Sequence, residues 1–227
     1  YLDSSISLFQ KSYLKNLINY NKVLKQRNSL LKQFSERNYF DEITLENFNN
    51  QLVLFGNEIH SQRQSFLELL TPVFNKYYQQ ISSANETVNL SYKSQLNEES
   101  FNSLLNDGLV KDRISHHTSV GIHKDDILFE MNGHPVKKIG SQGQQKSFLI
   151  SLKLAQFDFI TKKLGFKPIL LLDDIFDKLD DNRVEQLISF TSKGLFSQVF
   201  ITDTHEKRSK EILNKTGIDF NIFKIDN

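Results

Sequence analysis

Ile169-Leu170-Leu171-Leu172-Asp173-Asp174 constrains this chain more than any other segment. Residues 167–173 are mostly apolar, which reads as a strand of a parallel sheet covered on both faces. Such a strand delivers Asp173 and Asp174 to the C-terminal edge of the sheet, where ligands of α/β proteins bind. Two adjacent acids on an extended chain point to different sides. One can hold Mg²⁺, usually through water, while the other faces an attacking water. The plain alternative is a strand end with solvated or helix-capping acids. About thirty residues earlier, Gly140-Ser141-Gln142-Gly143-Gln144-Gln145-Lys146 opens a helix. That turn offers a serine hydroxyl and backbone N–H groups at a helix N-terminus, a place suited to anions. An anion site followed by a metal-ready carboxylate pair suggests nucleoside triphosphate chemistry.

The rest of the chain sets bounds on that reading. Its 227 residues, 38% hydrophobic, suffice for one large or two small cores. A formal net charge of +1 excludes a simple polycation, and with no cysteine there is no disulfide and no thiolate metal site. No apolar run approaches the roughly 20 residues needed to span a bilayer. The start, Tyr1-Leu2-Asp3-Ser4-Ser5, is not a signal peptide and lacks an initiator Met. The expectation is a cytoplasmic chain that begins inside a longer protein.

Composition divides the chain at about residue 85. Residues 1–85 read as a helical arm, with Gly56 and Pro72 as its sole glycine and proline. At 100° per residue, Lys11, Lys15, Lys22, Lys25 and Lys32 share one face, opposite Tyr13, Leu17, Tyr20, Leu24, Leu31 and Phe34. A second helix carries Phe48, Leu52, Phe55, Ile59, Phe66, Leu69 and Val73 as a seam for antiparallel packing. Thr71-Pro72 is expected to kink or end it. Residues 86–227 switch to strands and helices. A strand is predicted over 87–92, and a hairpin joins 126–131 to 136–139 through Asn132-Gly133-His134-Pro135. A long helix over 142–164 precedes the 167–173 strand. A helix over 181–192, a strand over 198–202, a helix over 205–214 and a strand over 219–225 complete an α/β order.

These motifs in sequence resemble the ABC-type ATPase set of signature motif, Walker B and D-loop, the last at Asp177-Lys178-Leu179-Asp180. The resemblance narrows to the RecF family of SMC/ABC-type ATPases. It rests on Ser141-Gln142-Gly143-Gln144-Gln145-Lys146, Leu152-Lys153-Leu154-Ala155 and Leu170-Leu171-Leu172-Asp173-Asp174, together with Leu24-Lys25-Gln26-Arg27-Asn28-Ser29-Leu30-Leu31-Lys32 in the arm. Thr118-Ser119-Val120-Gly121-Ile122-His123-Lys124-Asp125-Asp126 is similar to that family's Gly-Pro-His-Arg-Asp-Asp segment, with Ile122 for Pro and Lys124 for Arg.

The resemblance implies a partial ABC-type head, a P-loop NTPase sheet without its N-terminal part, joined to a helical arm. It implies ATP sandwiched between two heads of an ATP-dependent homodimer. Ser141, Gln142, Gly143 and Gln144 would face the γ-phosphate bound to the opposite subunit. Asp173 would serve Mg²⁺. Asp174 stands where ABC ATPases usually have a Glu that positions or activates water, and its shorter side chain implies slow hydrolysis. Asp177 and Asp180 would form the D-loop. Thr202, Asp203 and His205 are the switch candidates, since the histidine comes later than the family pattern places it. The implied partners are double-stranded DNA or single/double-strand junctions and recombination mediator proteins, with no membrane, in DNA repair, recombination, replication and the SOS response.

One departure matters. No Gly-x-x-x-x-Gly-Lys-Ser/Thr occurs in the sequence, so nothing in it cradles the α- and β-phosphates. The 227 residues alone are therefore expected to be catalytically dead and to leave an open sheet edge and exposed apolar surface. Residues 1–37 carry seven Lys/Arg, namely Lys11, Lys15, Lys22, Lys25, Arg27, Lys32 and Arg37, against Asp3 and Glu36. The five lysines of the stripe are DNA-phosphate candidates, the alternative being a solvated helix face. His116, His117 and His123 match no zinc pattern and read as packing and hydrogen-bonding residues. Two rivals remain: another SMC/ABC-class head, and a non-enzymatic helical scaffold.

Overall fold

Steps of seven along the first long helix decide what packs against it. A computed structural model describes residues 1–82, 86–173, 181–192, 194–217 and 219–225. The chain begins with α1 (Leu2–Ser7), α2 (Lys11–Arg37) and α3 (Glu42–Ser82). Tyr13, Tyr20, Arg27 and Phe34 are buried on α2, one every seven residues. They meet α3 in descending order. Arg63 Nε donates to Tyr13 Oη at 3.0 Å, and Arg27 Nε donates to Asn49 Oδ1 at 2.7 Å. Between them, a Cβ on Gly56 would lie 3.3 Å from the Tyr20 ring. The helices therefore run antiparallel on heptad seams. Asn38 closes α2 in the left-handed conformation, φ 51°, and the Asp41 carboxylate accepts from the Thr44 amide at 3.0 Å to open α3.

The seam on α3 is rotated from the one expected. Leu45, Leu52, Ile59, Phe66 and Leu70 are buried, but Leu69 is 57% exposed. Polar anchors explain the offset, because Asn49 and Arg63 occupy the face that bonds α2. Pro72 does not end α3; the helix continues to Ser82. Thr71 Oγ donates to the Leu67 carbonyl at 2.7 Å, one turn back.

The remaining elements are β1 (Val88–Lys93), α4 (Phe101–Asp107), α5 (Leu109–Ser115), β2 (Asp126–Met131), β3 (His134–Pro135), α6 (Val136–Ile139), α7 (Gln142–Leu164), β4 (Ile169–Asp173), α8 (Asp181–Ser192), β5 (Gln198–Thr202) and α9 (Glu206–Thr216). They form two compact units. The first comprises residues 1–71 and 89–129, and the second comprises 72–88 and 130–227.

In the first unit, Phe101 fills the space left by two glycines. A Cβ on Gly56 or on Gly121 would lie 2.5 Å from its ring. Gly121 also has φ +110°, a conformation that L residues rarely adopt. The Arg27 guanidinium is fully buried and pairs with the equally buried Asp112 at 2.7 Å. Arg27 therefore leaves the basic surface of α2, where Lys11, Lys15, Lys22, Lys25 and Lys32 are all exposed.

In the second unit, β2 and β3 form a hairpin about Asn132-Gly133, with φ of 50° and 77°. The predicted return strand over 136–139 is instead the short helix α6. Pro135 accounts for this, since it has no N–H to extend the ladder and its φ suits a helix entry. Phe74 of α3 meets Phe148 of α7 with ring centroids 4.6 Å apart. Strands β4 and β5 are parallel, in the register Leu170↔Val199, Leu171↔Phe200 and Asp173↔Thr202. Coverage of β4 on both faces is not found among the described residues. Leu170 is buried, but Ile169, Leu171 and Phe200 are 54%, 72% and 53% exposed. Nor do residues 219–225 form a strand. They are irregular and pair with no sheet edge among the described residues, and Phe223 and Ile225 are more than four-fifths exposed.

Candidate functional site

The turn before α7 is built by its own side chains. Ser141 is the N-cap. Its Oγ accepts from the Gln144 amide at 3.2 Å, and Gln144 Oε1 accepts from the Ser141 amide at 2.7 Å. This reciprocal capping box fixes both residues. The amides of Gln142 and Gly143 fall in the first turn, where no helical carbonyl serves them. The Ser141 hydroxyl accepts a bond and so retains its proton for donation. A 23-residue helix adds its positive end to these groups. The result is a cluster of donors suited to an anion.

Two residues behind the turn carry no signal in the linear motif. Glu86 Oε1 accepts from Gln144 Nε2 at 2.5 Å, while its Oε2 accepts from Tyr78 Oη at 3.1 Å. Burial raises the Tyr78 pKa and Glu86 raises it further, so the phenol stays protonated and keeps donating. Arg183 of α8 lies against Gly143, where a Cβ would come 2.7 Å from its Nη1. Glycine at 143 thus leaves space for a guanidinium beside the turn. A carboxylate 58 residues upstream and an arginine 40 residues downstream had no spacing rule that would reveal them.

At the tip of β4, Asp173 is exposed and Oδ1 accepts the Thr202 hydroxyl at 2.5 Å. The parallel register places these residues opposite each other. Thr202 therefore orients one oxygen of Asp173 and leaves the other free of that bond. Among the described residues, no group of three or more His, Asp or Glu is arranged to hold a metal ion. One strand-end carboxylate suits Mg²⁺, which keeps several waters and takes its other ligands from phosphate oxygens. Asp203 is nearly buried. Its Oδ2 accepts from Ser209 Oγ, and its Oδ1 lies 3.9 Å from His205 Nδ1. His205 also shares a 2.9 Å contact with Thr204 Oγ and caps α9 through its backbone. Of the switch candidates, Thr202 bonds Asp173, whereas Asp203 and His205 pair with each other and with α9. Asp174, Asp177 and Asp180 lie outside the described residues.

In the first unit, the segment similar to Gly-Pro-His-Arg-Asp-Asp is a structural junction. His123 Nδ1 lies 2.9 Å from Tyr20 Oη, and its Nε2 lies 3.0 Å from the Thr118 carbonyl. Burial lowers the His123 pKa, with Lys124 adding to the effect. Arg63 donates to the Ile122 carbonyl at 2.8 Å and to Asp125 at 3.2 Å. The hydrogen-bonding role read for His123 is the one observed.

A capped signature turn, an acid at the tip of a parallel strand and a long antiparallel helix pair define the class: part of an ABC/SMC-type ATPase head with a helical arm. No family profile matches the chain. Over its whole length, however, it is a homologue of RecF. It is 49% identical to the DNA replication and repair protein RecF of Flavobacterium johnsoniae over 225 residues, and 46% identical to that of Parabacteroides distasonis over 226. These alignments take in 99% and 100% of this chain but 63% and 61% of the relatives, so the chain spans about three fifths of their length. A solved structure of the recombination mediator protein RecF-ATP in the RecFOR pathway superposes with a TM-score of 0.80 at 32% identity, over 91% of this chain and 57% of that one. The fold and the family read from the motifs are both borne out.

Proposed function

We propose that this chain is the arm and C-terminal head portion of a RecF-type DNA repair ATPase, and that it presents the trans half of an ATP site to a second copy of itself. Residues 1–85 serve as arm and 86–227 as head. The observation that carries this is the Ser141–Gln144 capping box at the start of α7. The Ser141 hydroxyl and the Gln142 and Gly143 amides bind the γ-phosphate held by the opposite subunit, with Gln144 holding the turn in shape. Asp173, oriented by Thr202, is the residue to hold Mg²⁺. ATP with Mg²⁺ brings the reacting γ-phosphate and neutralises its charge. Asp174 positions or activates water, and Asp177 and Asp180 line the seam between copies.

The loop that cradles the other phosphates is not among these 227 residues. The chain alone therefore hydrolyses no ATP. In the complete protein, ATP closes two heads on double-stranded DNA or at a junction, and hydrolysis reopens them. The setting is cytoplasmic, among recombination mediator proteins, in repair, recombination and replication. Among the described residues no helix is long and apolar enough to cross a membrane. A colorimetric phosphate-release assay tests the proposal. The complete protein should turn over ATP slowly, Asp174→Asn should abolish that turnover, and the 227-residue chain should show none. Turnover by the isolated chain that Asp174→Asn removes would refute the proposal.

A further inference from the structure

The first unit contains a basic cleft that the nucleotide reading does not use. It has a volume of about 620 Å³ and is lined by Lys93, Lys111, Lys124, His117, Ser94 and Ser115 among others, with Glu98 the acid in its wall. The three lysines are exposed, and among the described residues none lies within ion-pair distance of an acid. His117 Nδ1 is occupied by the His116 carbonyl at 2.6 Å, which leaves Nε2 unused. Three ammonium groups, an imidazole and hydroxyls around one concavity suit phosphate oxygens better than any neutral ligand.

The walls of the cleft are fixed from inside, which separates it from a chance cluster of surface lysines. Each lysine adjoins a residue tied into a buried polar network. Lys111 precedes Asp112, which pairs with Arg27 at 2.7 Å and accepts from the Ser119 amide at 2.8 Å. Lys124 sits between His123 and Asp125, each bonded as described above. Lys93 follows Tyr92, whose hydroxyl donates to Asp125. The intervening loop is pinned at Thr118, whose amide and hydroxyl both donate to Asn28 Oδ1, at 2.8 and 2.7 Å. The lysine Cα positions are thus pre-set, and binding has only side-chain freedom to restrict.

We propose that this cleft binds the phosphodiester backbone of duplex DNA through Lys93, Lys111 and Lys124, without reading sequence. The inference rests on the DNA-binding reading above. The test uses the complete protein and a short duplex, with affinity measured by fluorescence anisotropy at several salt concentrations. Replacing Lys93, Lys111 and Lys124 together with Gln should weaken binding about tenfold or more at moderate salt. It should also make the log–log salt slope shallower by about two to three units. Inorganic tripolyphosphate serves as a small-anion probe. An unchanged affinity and slope in this variant, with wild-type binding intact, would overturn the cleft while leaving the DNA reading standing. So would a loss of tripolyphosphate binding alone. If Lys15, Lys22 and Lys25→Gln removes the salt dependence and the cleft variant does not, the helix stripe takes the role instead. A wild-type protein that binds no duplex overturns both readings together.

Discussion

Arg27 carries a full charge to a position with no solvent exposure, and its partner Asp112 is equally enclosed. Desolvating two ions costs several kcal/mol each, and the pair with the hydrogen bonds of Arg27 Nε and Nη1 offsets that cost. Arg27 further donates to Asn49 and Thr118. Arg27→Ala should therefore destabilise the chain by about 3–5 kcal/mol in urea denaturation, since it strands a buried carboxylate. Arg27→Met combined with Asp112→Leu should cost less than Arg27→Ala alone. His123 gives a second residue-scale expectation. Its folded pKa is depressed by burial below the ordinary value of about 6.5. The neutral ring is the folded form, so protons bind the unfolded chain more readily. Stability is full above pH 6.5 and falls as pH drops below it. His123→Gln should flatten urea midpoints measured between pH 7 and pH 5, whereas an unchanged pH dependence would dissociate His123 from it.

At the level of elements, helical periodicity and the turn that opens α7 were the legible part. The lysine face of α2 and the antiparallel partner helix follow from periodicity, and the start of α7 from the glycine-containing turn around Ser141. Less legible was everything decided by distant partners. Arg27 reads as one more basic residue of a lysine-rich helix, because its acceptor lies 85 residues away. Glu86 and Arg183 sit in segments with no motif, yet they touch Gln144 and Gly143. The 219–225 segment reads as a final strand from its place in the α/β order, but order alone supplies no edge to pair with. For α7 the capping box predicts a measurable cost: Ser141→Ala should lower stability by about 1 kcal/mol. Glu86→Ala should leave the helix intact by circular dichroism but weaken nucleotide-dependent pairing of heads, because Gln144 loses its outer anchor.

At the scale of the whole molecule, two features bear on association. One face of the β4–β5 sheet presents Ile169, Leu171 and Phe200 to solvent. Burying apolar area is worth about 25 cal/mol per Å², so such a face favours association. The 227-residue chain should self-associate in light scattering, and Leu171→Lys with Phe200→Lys should shift it toward monomer. The other feature is the donor-rich turn at Ser141, proposed above to face the nucleotide of a second copy. The most direct test is the mass of the complete protein, with and without ATP, by sedimentation velocity. Wild type should pass from monomer to dimer when ATP is added, and Ser141→Arg should stay monomeric while still binding ATP. An ATP-driven dimer that forms undiminished in Ser141→Arg would contradict the trans half-site on which the functional account stands.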